Sequence, residues 1–339
     1  MPVWSSRRRP GPRGQRSSCP SSRRATSTTT TSFSSSSRPV KDLFVRYSPG
    51  IQWTYRRPEL TIDGRYLLDA EFYADQTQLD NYHARQLASV GVQSFKDRFT
   101  TLSACVTYAE TLGPGDLVQA TGLDLGRARS QAYSASLGLE RRAGPSETLG
   151  LGYDFTLLMF AQEENVGSHL LTGTWSRKIT PFTSIRVRAG PRFIQGDIDP
   201  ELSASIDRRL DRGNLDLSYM HSRNPVPLHG DATRTDAVIL TASRQIRQFL
   251  RVGVSPSMLR NRRGDATARV YRMSVSLDYQ MTRWLSQQVS DRYSAQEGST
   301  AASVPDQSIR HNILLISASI ATQFRPQPSD WQTQPGEDQ

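Results

Sequence analysis

Residues 60–74 read LTIDGRYLLDAEFYA and alternate between two chemical classes. The even positions carry Leu, Ile, Gly, Tyr, Leu, Ala, Phe and Ala, whereas most odd positions carry polar or charged side chains. A period of two places successive side chains on opposite faces of a β-strand. The stretch is much longer than the usual strand of about five or six residues in globular proteins. It therefore predicts a long strand with one apolar and one charged face.

The same period of two recurs along most of the chain. In residues 148–160 the odd positions are mostly apolar and the even positions are mostly small or polar. No segment repeats its apolar residues convincingly at the helical spacing of 3.6. The predicted strands lie near residues 43–56, 59–74, 82–96, 98–112, 130–142, 147–160, 167–178, 182–194, 201–210, 213–223, 235–246, 248–259, 267–281, 283–294 and 310–324.

The composition restricts how these strands can assemble. Only 36% of the 339 residues are hydrophobic, and the longest apolar stretches, 157–161 and 313–316, are far shorter than the roughly 20 residues of a membrane-crossing helix. An ordinary helical membrane protein is therefore excluded. No linker follows residue 40 or so, which predicts one sheet domain over residues 42–325 and a polar tail over 326–339. Closure into a barrel would remove the exposed edges of such a sheet.

The links between the predicted strands alternate in length. Tight links such as 56–58, 143–145 and 211–213 follow the odd-numbered strands, whereas most links after the even-numbered strands are longer, as at 113–129 and 224–234. Transmembrane barrels have this asymmetry, with short periplasmic turns and longer external loops. Aromatic residues also cluster near both ends of the runs, as in the two aromatic girdles of such barrels. We therefore predict an all-β, antiparallel, up-and-down transmembrane barrel.

The direction of the strands gives an expected strand number. The last predicted strand ends on the periplasmic side, whereas the first leads into a tight turn and would begin outside. A barrel with both ends in the periplasm needs an even number of strands. We therefore predict about 16 strands, with the first strand missing from this sequence, and 14 if a weak run such as 201–210 is a loop.

Residues 1–41 differ in composition from the rest of the chain. Ser, Arg, Pro, Gly and Thr dominate there, which predicts a disordered tail that has too little apolar surface to bury. The segment also lacks the apolar core of a secretory signal peptide. Together with the missing strand, this composition favours a misassigned start in place of a signal peptide and the native first strand.

Short motifs near the start of the sheet resemble a known family. They are YSPGI at 47–51, LTIDGRY at 60–66 and DNYH at 80–83. These residues resemble the β-barrel porin 2 family of Gram-negative outer membranes, some members of which lie beside exopolysaccharide and protein-sorting systems. The resemblance implies an outer-membrane location and a barrel fold, and it implies no particular substrate. The Asp-Asn pair that usually opens the family's first strand is absent here, in agreement with a lost first strand.

The alternation assigns charged side chains to the barrel lumen. A barrel of about 16 strands can enclose an aqueous channel, and rings of charge in a pore set its selectivity. The candidate pore-lining residues are Arg186, Arg188, Arg192, Arg272, Asp63, Asp69, Glu71 and Asp154. The three arginines at 186, 188 and 192, in the predicted strand near 182–194, form the clearest candidate for a strip that attracts anions or sugar acids. The alternative is that these charges pair across neighbouring strands and brace the wall.

The net charge of +10 is weak evidence for nucleic-acid binding. Lysine occurs only at 41, 96 and 178, so arginine supplies the other 39 basic residues, as a GC-rich genome produces without selection. The arginines are also spread along the whole chain instead of forming one patch. The five histidines share no metal-ligand spacing, and no serine is distinguished as a nucleophile. We therefore expect no nucleic-acid partner, no cofactor or metal, and no enzymatic activity.

Together these features predict an outer-membrane barrel surrounded by lipid. Its function would be a porin-like channel, with an anionic solute or a polysaccharide as its cargo, or that of a barrel accessory to surface-polysaccharide export. One alternative is a non-conducting structural barrel with a plugged lumen. Another is a soluble, basic, all-β binding protein.

Overall fold

The computed structural model describes residues 26–35, 38–75, 77, 80–111, 129–160, 165–225, 232–264, 266–282, 285–298 and 307–320. No helix within these ranges is long and apolar enough to cross a membrane. The described residues form seventeen strands: β1 (Thr26–Ser35), β2 (Arg38–Tyr47), β3 (Gly50–Arg56), β4 (Leu60–Tyr73), β5 (Asn81–Phe95), β6 (Thr100–Thr111), β7 (Ser130–Arg142), β8 (Glu147–Phe160), β9 (Val166–Thr180), β10 (Thr183–Ile194), β11 (Asp197–Leu210), β12 (Gly213–Pro225), β13 (Ala232–Arg247), β14 (Leu250–Arg263), β15 (Ala266–Gln280), β16 (Leu285–Gly298) and β17 (Gln307–Ile320).

The strands form one antiparallel sheet whose pairing closes on itself. Each strand from β4 to β16 pairs with the next strand in the sequence, β17 pairs with β1, and β1 pairs with β2. Both β2 and β3 pair with β4, at different heights, so they share one position in the ring. The ring therefore has sixteen strand positions. This confirms the predicted up-and-down barrel of about 16 strands.

Two predicted strands differ in detail from the observed ones. The run at 43–56 is interrupted at Ser48 and Pro49, between β2 and β3. Proline has no backbone N–H to donate to a ladder, so a strand is readily broken there. The weak run at 201–210 is a complete strand, β11, which begins already at Asp197. A count of 14, which assumed a loop at this place, is therefore not observed.

The amino-terminal prediction requires a correction. We expected a disordered tail over residues 1–41 and a missing first strand, but β1 and the start of β2 lie within that segment. In β1, Thr26–Thr31 pair with β17 and Ser27–Ser35 pair with β2. Threonine suits extended backbone, and the strand satisfies two edges that would otherwise be unpaired. The predicted tail over 326–339 and residues 1–25 lie outside the described residues.

The two faces of the sheet have opposite chemistry, as the alternation predicts. On the outer face large apolar side chains are exposed, and Leu151 and Ile198 have exposed fractions of 63% and 66%. The aromatic side chains of this face include the edge-to-face pair Phe249 and Tyr279, whose ring centroids are 5.4 Å apart. Two aromatic residues near the ends of predicted strands, Trp284 and Phe324, lie outside the described residues. The inner face carries most of the polar and charged positions, together with buried apolar side chains such as Ile194 and Val270.

The connections define two ends of the barrel. We call the end with the short connections at 181–182, 211–212 and 248–249 the tight-turn end, and the opposite end the long-loop end. Two connections at the long-loop end are shorter than predicted, because β10 and β11 are joined only by Gln195 and Gly196, and β14 and β15 only by 264–265. Gln195 and Gly196 have φ values of 50° and 90°, which match a two-residue hairpin with positive φ at both central positions.

Candidate functional site: the inner face of the barrel

Small hydroxyl side chains line much of the inner face. They often lie directly opposite each other on neighbouring strands, as do Ser205 and Ser218, and Ser255 and Ser274. The Thr241 and Ser255 hydroxyl oxygens are 3.2 Å apart, within hydrogen-bonding distance. Such side chains are short and both donate and accept hydrogen bonds. The wall therefore offers polar groups to the lumen without filling it.

Two of the three arginines on β10 pair with carboxylates of neighbouring strands. The Arg188 guanidinium contacts the Asp154 carboxylate on β8 and donates from Nε to Thr172 Oγ1 at 3.0 Å. Arg192 Nε lies 2.5 Å from Glu201 Oε2 on β11, and its Nη1 lies 3.3 Å from Ser168 Oγ on β9. These contacts link strands on both sides of β10.

The predicted residues on β4 are also engaged by neighbouring strands. Thr54 donates to Asp63 at 2.7 Å, and Arg85 Nε lies 3.2 Å from Asp69 Oδ2. Glu71 accepts from Arg46 Nη2 at 2.6 Å and from the hydroxyl of Tyr73 at 3.0 Å.

The structure thus places the candidate residues on the inner face, and it pairs most of them across strands. Two candidates remain: Arg272 lies opposite Ser257 on β14 and Ser294 on β16, and Arg186 lies opposite Ser176 on β9 and Ser205 on β11. Cross-strand ion pairs of this kind brace a sheet. The sequence left open whether these charges brace the wall or form a free charged strip. The observed pairs favour bracing for Arg188, Arg192, Asp154 and Asp69.

A recess opens in the inner wall where three glycines lie together. Gly138 is directly opposite Gly152, and Gly150 lies two residues away on the same face. A Cβ on Gly152 would be 2.9 Å from Thr172 Oγ1, so the missing side chain leaves room that a larger residue would fill. The recess has a volume of about 210 Å³, and its rim includes Glu140, Asp154, Thr174, Arg186 and Arg188.

Two charges on the rim of this recess are unpaired. In the part of the chain that the structure describes, neither Arg186 nor Glu140 has an ion pair or a side-chain hydrogen bond. They lie on β10 and β7, three strands apart, a separation of about 14 Å at the usual strand spacing. The recess therefore presents one free cation and one free carboxylate across a floor of glycine and hydroxyl groups.

A pair of carboxylates lies between this recess and the tight-turn end. Asp207 on β11 and Asp216 on β12 are direct register partners. Asp207 is also opposite Ser184 on β10, two residues from Arg186. Like charges directly opposite each other repel. The alternation puts both residues on the inner face, but only the register between β11 and β12 brings them together.

The inner face is packed more tightly toward the long-loop end. Near that end Ile194, Thr235 and Val270 have exposed fractions of 1%, 0% and 0%, and Thr235 donates to Asn261 at 2.8 Å. Arg186, nearer the tight-turn end, is exposed. The lumen therefore has a wetter half, which contains the recess, and a packed half.

Comparison with known proteins gives similarity of fold. No family model matches the sequence, and no curated protein matches it. The structure is similar to that of Salmonella typhi OmpF in complex with daunomycin, with a TM-score of 0.50 and 11% sequence identity over 86% of this chain and 95% of that chain. The chain thus has the all-β, antiparallel, up-and-down fold that outer-membrane barrels share.

Two further solved structures give similar values. Acinetobacter baumannii OccAB4 has a TM-score of 0.49 and 9% identity, over 87% of this chain and 95% of that chain. Pseudomonas aeruginosa OccK11 has a TM-score of 0.49 and 12% identity, over 88% of this chain and 95% of that chain.

Proposed function

We propose that the protein is a porin-like channel of a Gram-negative outer membrane. The observation that carries this proposal is the polar inner face of a closed ring of sixteen strand positions, with the apolar side chains turned outward. A polar interior costs free energy unless water or polar partners fill it. A barrel of this size is wide enough for an aqueous channel.

The recess supports a hydroxylated, acidic solute as the cargo. Its floor of glycine and hydroxyl groups can accept and donate hydrogen bonds as the hydroxyls of a sugar do. Arg186 on the rim has no carboxylate partner among the residues that the structure describes, so its guanidinium is free to bind an acidic group. A small sugar acid combines both features, which makes it the solute class that fits the recess best.

A non-conducting barrel is the second candidate, and the packed half of the lumen favours it. Inner-face side chains with exposed fractions near zero, such as Thr235 and Val270, leave no water next to them. If the packing extends across the whole lumen, the recess is a closed vestibule that binds solute without passing it.

Planar lipid bilayers distinguish the two candidates. A channel gives discrete conductance steps after insertion of the purified protein, whereas a plugged barrel gives none. Addition of glucuronate should reduce the conductance of a channel if the recess binds sugar acids, and glucose at equal concentration serves as the uncharged control. If the protein is folded and inserted but gives no conductance steps, the channel proposal is wrong and the non-conducting barrel with a closed vestibule remains.

A role beside surface-polysaccharide export is a more specific form of this proposal. It is supported by the resemblance of residues 47–51, 60–66 and 80–83 to the β-barrel porin 2 family, and by the hydroxyl-rich wall. Deletion of the gene should then lower the amount of surface polysaccharide, and the wild-type chain should restore it. Unchanged polysaccharide in the deletion strain would favour general diffusion.

The proposed location has its own test. The protein should fractionate with outer membranes and require detergent for extraction, since its exposed outer face is apolar. Recovery of folded protein in buffer without detergent would support the soluble, basic, all-β alternative instead.

A further inference from the structure

We propose that a group of four outer-face arginines binds the phosphate groups of an anionic lipid in the outer leaflet, with Arg260 and Arg269 as the direct ligands. The four residues are Arg234 on β13, Arg260 and Arg262 on β14, and Arg269 on β15, all exposed and all near the long-loop end. We call this group the arginine patch. The inference rests on the proposed membrane location of the barrel, and it does not depend on whether the lumen conducts.

Strand register places these arginines in two opposed pairs. Arg234 lies directly opposite Arg262, and Arg260 lies directly opposite Arg269. Like charges in direct opposition destabilise a sheet. Two adjacent pairs on three neighbouring strands concentrate positive charge on one small area of the wall. An external anion would remove this repulsion.

Two carboxylates flank the patch in register. Glu297 on β16 lies opposite Arg269, and in the part of the chain that the structure describes it forms no ion pair with that arginine. Asp236 lies opposite Arg260, but it accepts from the Tyr219 hydroxyl at 3.1 Å, contacts His221 Nδ1 at 2.7 Å and lies 3.6 Å from Arg262 Nη2.

The other arginines of the patch differ in their partners. Arg234 Nη2 is directed to Asp199 on β11, at 2.6 Å. Arg260 and Arg269, by contrast, have no ion pair or side-chain hydrogen bond among the residues that the structure describes. These two guanidinium groups are thus available to a ligand, and guanidinium binds phosphate oxygens in a bidentate manner.

The surroundings of the patch favour a lipid over a soluble phosphate. Two residues further toward the tight-turn end, about 7 Å along the strands, the same face carries Val238, Met258 and Tyr271, which are register neighbours. Their exposed fractions are 47%, 45% and 38%. A phosphate on the arginines would place acyl chains against these apolar side chains. The patch therefore lies at the boundary where lipid phosphates meet the hydrocarbon layer.

Binding of diphosphoryl lipid A to the full-length protein in a non-ionic detergent tests this site. Native mass spectrometry should detect saturable binding to the wild type. The double variant Arg260→Gln with Arg269→Gln should lower the apparent affinity by about tenfold or more, since it removes both free guanidinium groups. The matched control, Arg208→Gln with Arg244→Gln, removes two exposed outer-face arginines at the tight-turn end and should bind as the wild type does.

The remaining outcomes separate the sources of phosphate and the two proposals. Equal affinity in the double variant and the wild type, confirmed as folded by heat-modifiable gel mobility, would overturn the site. If millimolar inorganic phosphate displaces lipid A, the ligand of the arginine patch is a soluble anion and the assignment to a lipid is wrong. If the wild type conducts in planar bilayers but binds no lipid A, only the lipid-binding inference is refuted. If it binds lipid A but gives no conductance steps, only the proposed channel function is refuted.

Discussion

Arg186 and Arg188 lie two residues apart on β10, yet within the described ranges Arg188 has a carboxylate partner and Arg186 has none. Both side chains border the same glycine-lined recess. The difference follows from register, because Arg188 shares its height with Thr174 and Ser203 and reaches Asp154 on β8, whereas Arg186 lies opposite Ser176 and Ser205. The same residue type therefore braces the wall at one position and is free to bind solute at the next.

Substitution of Arg186 should change ion selectivity. Arg186→Gln removes a free positive charge from the wetter half of the lumen, so the reversal potential in a salt gradient should shift toward cation preference. The double variant Asp207→Asn with Asp216→Asn removes two opposed carboxylates from the same half and should shift the potential toward anion preference. Identical potentials in the wild type and both variants would exclude these groups from the ion path.

Substitution of Arg188 should affect stability instead. Arg188→Gln leaves the half-buried Asp154 without its cation and should lower the free energy of unfolding by about 1 kcal/mol, a value reduced by solvent screening of a partly exposed pair. Urea unfolding in lipid vesicles measures this change. Arg186→Gln, which breaks no ion pair, is the control and should unfold as the wild type does. An equal loss in both variants would contradict the assigned difference between the two arginines.

At the scale of elements, β9 and β10 pack closely at Gly190, where a side chain would have no room. A Cβ on Gly190 would lie 1.8 Å from the backbone carbonyl oxygen of Leu171. Backbone cannot move aside as a flexible side chain does, so glycine is required for the two strands to pack at this place. The strand pair also holds Arg188 and Arg192 in register with β8 and β11. Its geometry therefore positions the rim of the recess.

The variant Gly190→Ala should destabilise the barrel by roughly 1–3 kcal/mol, because the added methyl group forces β9 and β10 apart. The temperature at which the folded band disappears in gel electrophoresis measures the effect. Gly173→Ala on the facing strand is the matched control, since its Cβ would meet only Ala189 O at 4.0 Å. If the Gly190→Ala variant is as stable as the control, β9 and β10 can separate slightly without a measurable loss of stability, and the prediction is wrong.

At the scale of the whole molecule, closure depends on β1. Without it, the hydrogen-bonding groups of β17 and β2 that face it would form two open edges. In a lipid environment unpaired backbone groups cost several kcal/mol each. The strand β1, which is rich in serine and threonine, is therefore required for its backbone hydrogen bonds and not for its side chains. This explains why its composition, which offers little to bury, did not reveal the strand.

Proline in β1 should prevent closure. Thr29→Pro with Thr31→Pro removes two backbone N–H groups from a strand that pairs on both sides, at Phe44 and Leu315 and at Asp42 and Ile313. The folded, heat-modifiable fraction should then fall strongly. The variant Thr29→Val with Thr31→Val keeps both N–H groups and should fold as the wild type does. Normal folding of the proline variant would show that the ring closes without this strand.

The sequence by itself determined the strands and their two faces, because a period of two over long runs is typical of strands with one apolar and one polar side. Residues 60–74 are sufficient for that conclusion, whereas the barrel was predicted from the recurrence of such runs and the alternating lengths of their links. The alternation also assigned Arg186, Arg188 and Asp154 to one face. These properties are local, since each depends only on neighbours one or two positions away in the chain.

Only the tertiary structure decided which residues on a face meet. The pairing of Arg188 with Asp154, the opposition of Asp207 and Asp216, and the opposed arginines of the arginine patch all depend on register between strands. The strand β1 and the tight turn at Gln195 and Gly196 were likewise decided by pairing. Register is set by hydrogen bonds between segments distant in sequence, and a slip of two residues would keep every side chain on its face while changing all of its partners.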